Sequence, residues 1–138
     1  MRVILIAILA LGLLPAVAPA KPLISYDRSG GFRGTPLSLE CGVKGHCSAL
    51  EGFEGAGNAF TLSKKALKRL KASIKQAGFD TLTGPYQPTP GTVADGYTES
   101  VTYKGKTVVA GTGGDVPERL SQLLGRLATI AQSHVSTQ

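Results

Sequence analysis

Groups that carry out chemistry are scarce in this chain of 138 residues. His46 and His134 are its only histidines, and His134 falls close to the C-terminus, where helices fray, so neither is well placed as a catalytic base. Neither Gly-x-Ser-x-Gly nor His-Glu-x-x-His occurs, which removes the common serine-hydrolase and zinc-protease signatures. The carboxylates are scattered along the sequence and read first as solvated surface groups or helix caps; an acid–base pair, and with it an enzyme as a third reading, would require the fold to gather two of them in a pocket. Cysteine is limited to Cys41 and Cys47, with no Cys-x-x-Cys, and His46 has no second histidine nearby to complete a metal site. The expectation is a protein without catalytic machinery, metal or cofactor.

Long apolar runs are absent after the first residues. Met1-Arg2 leads into the apolar stretch from Val3 to Leu14, which Pro15 breaks, and Ala18-Pro19-Ala20 then sets small residues where a signal peptidase reads. The run is shorter than the roughly 18 to 20 apolar residues that span a bilayer. Residues 1–20 are therefore expected to be a cleavable signal peptide, with no cysteine at the processing site to accept lipid. Residues 21–138 are expected to form a single secreted or periplasmic domain, without stable membrane insertion after cleavage. The full chain carries a formal net charge of +6, and removal of Arg2 lowers it by one, leaving a basic domain.

An oxidising exterior favours a disulfide in Cys41-Gly-Val-Lys-Gly-His-Cys47. So short a loop limits its entropic contribution to roughly 2 kcal/mol in the chain-entropy model. Such a bridge pins a hairpin and leaves the core to do the rest.

The pattern predicts an α+β fold. Pro22–Arg28 reads as a first strand, Ser29–Gly34 as a glycine-rich turn, Pro36–Cys41 and Cys47–Phe53 as paired strands, and Asn58–Thr61 as a further short strand, together an antiparallel meander. Ser63 is an N-cap, with Leu62 and Leu67 spaced for a hydrophobic staple, and Leu67, Leu70, Ile74 and Ala77 follow a helical period that Gly78 ends. Phe79 and Leu82 are expected to return to the core. Residues 84–96 hold three prolines and three glycines and read as an exposed loop with no regular element. Tyr97–Tyr103 alternates, Lys104-Gly105 can turn the chain into Lys106–Ala110, and this is a second hairpin. Asp115 and Glu118 make an acidic start for a second helix, with Pro117 in its first turn and an apolar stripe of Leu120, Leu123, Leu124, Leu127 and Ile130. Both helices are expected to pack on one face of a mostly antiparallel sheet.

Two features could meet a ligand. Gly111-Thr-Gly-Gly-Asp115 before a helix looks superficially like a phosphate cradle, but Asp115 would occupy the same positive helix end and the Lys-Ser or Lys-Thr pair is missing. Lys64, Lys68, Lys71 and Lys75 form a stripe on the first helix, widened by Lys65 and Arg69, with no acid among them. Most such stripes are solvated faces. Without interleaved aromatics this one is not read as a nucleic-acid site, but it could hold an acidic partner or surface.

One ordered pattern spans most of residues 24–120: Ile24-Ser-Tyr26-Asp-Arg28-Ser-Gly30-Gly31-Phe32-Arg-Gly34, then Leu62-Ser63, Phe79 with Leu82, Asp95, Val101-Thr-Tyr103-Lys-Gly105-Lys106, and Gly114-Asp-Val116-Pro117-Glu-Arg-Leu120. In order and spacing it resembles the emfourin-like proteins, small bacterial inhibitors of thermolysin-like metalloproteases, and related secreted domains. The Cys41–Cys47 hairpin and the export signal depart from that pattern. The resemblance implies a reversible, non-covalent inhibitor of a secreted metalloprotease. Its contacts would come from the two exposed loops, at Ser29, Gly30, Gly31, Phe32 and Arg33 in the first and at Tyr86 and Gln87 in the second. The alternative from the residues alone is an envelope or extracellular adaptor that uses the basic helix.

Overall fold

Alternation decides the sheet. A computed structural model describes residues 21–55 and 57–135, so the expected signal peptide lies outside the described residues. Six strands form: β1 (Ile24–Gly30), β2 (Leu37–Cys41), β3 (His46–Glu51), β4 (Asn58–Thr61), β5 (Tyr97–Tyr103) and β6 (Lys106–Gly111). Every named pairing is antiparallel, and the order across the sheet is β4-β3-β2-β1-β5-β6. The register sets Tyr26 between Leu39 and Val101, and Ile24 between Cys41 and Tyr103. Residues two apart share a face. Ile24, Tyr26, Leu37, Leu39, Cys41, Cys47, Ala49, Val101, Val108 and Ala110 are accordingly all buried. The opposite face carries Ser25, Asp27, Ser38, Glu40, Ser48, Ser100 and Thr102, all at least partly exposed.

Two helices cover the apolar face. The first, α1 (Lys64–Ala77), starts where expected, with the Ser63 hydroxyl accepting from the Ala66 amide at 3.1 Å. It ends at Gly78, whose φ of 64° is left-handed backbone that a glycine adopts without a Cβ penalty. Leu70, Ile74 and Ala77 are buried, and Phe79 and Leu82 follow them into the core. The second, α2 (Glu118–His134), lies across β1, β2 and β3 and also packs against α1. Its buried stripe is Leu120, Leu123, Leu124, Leu127 and Ala131, and Ile130 is only half-buried.

Three local expectations need correction. Pro117 is not in the first turn of α2 but precedes the helix, with ψ of 136°. It is the N-cap residue: its backbone is non-helical while its carbonyl already accepts from the Ser121 amide at 3.0 Å, so helical geometry begins at Glu118. The third strand stops at Glu51 because Gly52 adopts a φ of 111°, which leaves Phe53 outside the sheet. Residues 84–96 are not wholly irregular, because Tyr86 forms a parallel bridge with Ala110. Its amide donates to the Val109 carbonyl at 2.8 Å and its carbonyl accepts from the Gly111 amide at 2.9 Å. An edge strand exposes unpaired backbone groups, and this single residue satisfies two of those on β6.

Cys41 and Cys47 face each other in the β2–β3 register and form a disulfide, and both are buried. Replacing both cysteines by serine should lower the unfolding free energy by at least about 2 kcal/mol, the loop-closure contribution of so short a loop, to which burial of two hydroxyls adds. Urea denaturation with and without the substitutions measures it.

Candidate functional site: the loop tips at one end of the sheet

The strand register brings four connections to one end of the sheet. Arg28 pairs with Leu37, Leu37 with Glu51, and Ala49 with Asn58, so the β1–β2 and β3–β4 loops emerge side by side. Gly30 pairs with Tyr97 and Thr98 with Gly111, which adds the approach to β5 and the exit from β6. The β2–β3 and β5–β6 turns, with the disulfide, occupy the other end.

Backbone hydrogen bonds tie the roots of these loops together. The Gly52 amide donates to the Pro36 carbonyl at 2.9 Å, joining the β1–β2 and β3–β4 loops. The Gly31 amide donates to the Gly96 carbonyl at 3.1 Å, and the Thr112 amide to the Tyr97 carbonyl at 3.0 Å. At Gly30, a Cβ would lie 2.9 Å from the Gly96 carbonyl oxygen, and its φ is 88°. Only glycine allows the two chains to approach this closely. Within the core just below, the fully buried Tyr26 donates its hydroxyl to Glu99 Oε1 at 2.6 Å. Burial, reinforced by Glu99, raises the Tyr26 pKa well above the usual tyrosine range, so the phenol keeps its proton and remains a donor.

Beyond the rigid roots the tips reach into solvent. Phe32 is 91% exposed and Phe53 is 84% exposed. Tyr97 is also exposed, with the Arg28 guanidinium 5.6 Å from its ring centroid. Of the residues the sequence singled out, Ser29, Gly30, Phe32 and Arg33 are exposed here and Gly31 is half-buried at the loop root. Tyr86 is half-buried and packs against the core, its hydroxyl accepting from the Thr83 amide at 3.1 Å. It bridges the β6 edge and anchors the start of the loop. Gln87 follows it and is exposed. Phe53 was legible only as the end of a strand, although the glycines at 52 and 55 around it were a signal for a tip.

No protein-family model and no curated protein matches this chain. Its site must therefore be read from its own geometry.

Charge divides along the molecule. Glu51, Glu54, Asp95, Asp115 and Glu118 are exposed at the tip end, accompanied by Arg28, Arg33 and Arg119. Lys64, Lys65, Lys68, Arg69, Lys71 and Lys75 are all exposed along α1, which contains no acid. The glycine turn before α2 has little left to offer an anion, because the amides of Gly111, Thr112 and Gly114 donate to the carbonyls of Tyr86, Tyr97 and Gly111. His46 bonds to Thr61 at 3.2 Å, while the His134 ring stacks on Phe60 with centroids 3.7 Å apart. Among the described residues no group of three or more His, Cys, Asp or Glu side chains could hold a metal ion.

On the open sheet face, Asp27 has its pKa raised by partial burial and then by the neighbouring Glu40 carboxylate. A carboxyl whose folded pKa exceeds its unfolded value favours the fold while protonated, and that contribution is lost as pH rises through the folded pKa. Asp27→Asn should therefore raise the melting temperature at about pH 7 and confer no gain at about pH 3, where Asp27 is itself neutral. Thermal denaturation at the two pH values reads the difference.

Proposed function

We propose that this protein is a secreted, non-catalytic binding domain that acts as a reversible inhibitor of a metalloprotease. The observation that carries the reading is the β1–β2 tip. It presents Phe32 and Arg33 to solvent while its root is locked to the approach to β5 through the Gly31–Gly96 hydrogen bond. A tip that is exposed in side chain yet fixed in backbone can enter a protease cleft with little ordering left to complete, which is how preorganised inhibitors gain affinity. The residue order that resembles emfourin-like inhibitors supports the same target class. The disulfide is compatible with function outside the cytoplasm. Among the described residues no helix is long and apolar enough to cross a membrane.

A second reading rests on a separate observation, the fully exposed cationic face of α1. There the protein is an envelope or extracellular adaptor, and Lys64, Lys68, Lys71 and Lys75 hold an acidic partner or surface.

Titration of a thermolysin-like metalloprotease with oxidised protein from Lys21 onward separates the two. The inhibitor reading expects saturable inhibition that persists in moderate salt, that falls at least tenfold when Ser29–Gly34 is replaced by a serine-rich turn, and that tolerates Lys68→Glu with Lys71→Glu. Absence of inhibition, together with salt-sensitive binding to an acidic protein that the same charge reversals abolish, would favour the adaptor.

A further inference from the structure

Two of the tips share a pattern. Gly31-Phe32-Arg33-Gly34 opens the β1–β2 loop, and Gly52-Phe53-Glu54-Gly55 opens the β3–β4 loop. In each, a phenylalanine and a charged residue lie between glycines, and all four glycines have positive φ. Backbone of this kind turns sharply and holds the central side chains away from the domain. The result is the two most exposed large apolar side chains of the described residues, Phe32 and Phe53, at the same end of the sheet.

Their placement is fixed from beneath. The loops leave neighbouring parts of the ladder, since Leu37 at the start of β2 pairs with Glu51 at the end of β3. The Gly52 amide, immediately before Phe53, donates to the carbonyl of Pro36 in the other loop. Phe32 follows the end of β1 and Phe53 the end of β3, with β2 between them, so the two roots are two strand spacings apart, roughly 10 Å. Two phenylalanines in glycine-flanked tips do nothing for the core, and an exposed apolar pair rimmed by charge marks a surface made for contact.

We infer that Phe53 is a second anchor beside Phe32, and that the two Gly-Phe-charge-Gly tips enter one groove of a protein partner together, filling paired apolar recesses whose rim is cationic beside Phe53. The assignment rests on the inhibitor reading, in which the groove is the protease cleft. Charge selects this class of occupant. Glu51 and Glu54 flank Phe53, and Asp95 lies next to Gly96, to which the first tip is tied. Those carboxylates would be repelled by an anionic bilayer and attracted by a basic rim. Arg33 and Glu54 hold equivalent places in the two tips with opposite charge, so the partner's rim must be differentiated between the two recesses.

The experiment compares the unaltered protein with Phe53→Ser, Phe32→Ser, the double variant and Glu54→Lys as inhibitors of a thermolysin-like metalloprotease. Melting temperatures report the fold, which substitutions at such exposed sites should leave unchanged. Removing a buried phenylalanine from an interface should weaken inhibition by about ten- to a hundredfold. Phe53→Ser is expected to do this as Phe32→Ser does, the double variant to lose more than either, and Glu54→Lys to weaken inhibition most at low salt. If the unaltered protein inhibits and Phe53→Ser inhibits equally well, the second anchor is wrong while the inhibitor reading stands. If the unaltered protein does not inhibit, that reading fails and the assignment of this groove fails with it. Co-sedimentation with phosphatidylglycerol–phosphatidylcholine vesicles that Phe53→Ser abolishes would overturn the inference in favour of a membrane surface.

Discussion

The central strand β1 organises everything else. It pairs with β2 along one edge and with β5 along the other, so Tyr26 is enclosed by Leu39 and Val101 in the plane of the sheet and sealed from solvent by the core above. The partnership with β5 joins Ile24 to Tyr103 across most of the domain's sequence, with the first helix and the proline-rich loop between them. Closing so long a loop is entropically unfavourable and is offset only when both edges of β1 are occupied and its apolar side is covered. The Tyr26 hydroxyl bonded to Glu99 makes the β1–β5 pairing specific as well as apolar, since a buried hydroxyl without a partner would be costly. A shift of one residue in this register would turn Tyr26 toward solvent and carry Asp27 into the core.

From that register the position of the loops follows. Antiparallel pairing alternates strand direction, and with the order β4-β3-β2-β1-β5-β6 the end of β1 must lie beside the starts of β2 and β5. The Gly31–Gly96 and Gly52–Pro36 hydrogen bonds extend the ladder slightly past the named strands. Rigid pairing thus continues to within a residue of each exposed phenylalanine. The same geometry keeps the disulfide at the opposite end, where it secures the β2–β3 turn without constraining the tips.

How much was legible in the sequence depended on how local the signal was. The α+β class, the meander, the second hairpin and the one-sided helical cover could be read from alternation and helical period, because those patterns require only neighbouring residues. Ser63 and Gly78 were equally readable, since a capping hydroxyl and a left-handed glycine act within one turn. Phe53 was misjudged because aromatic residues favour strands, and only the backbone conformation of Gly52 shows that the strand has ended. Tyr86 was misjudged for the converse reason. Its prolines and glycines signal a loop, while its bridge to Ala110 answers an unpaired edge that exists only once β6 is in place. The gathering of the tips depends on strand order, which no local motif encodes.

The distribution of rigidity carries the functional consequence. A binding loop that must be ordered on contact loses affinity to the entropy of ordering, whereas one that is stiff throughout cannot adapt to a partner. Here the backbone is held at the roots by hydrogen bonds between loops, and positive-φ glycines bracket each phenylalanine. Freedom is left mainly to the two aromatic rings and their charged neighbours. Aromatic rings lose few rotatable bonds when they are fixed, so they give a large contact area for a small entropic loss. In the binding role proposed above, a domain with a thin inventory of chemical groups would be selective on this basis, because selectivity would depend on the spacing and charge of two prongs, and that spacing is set by the sheet.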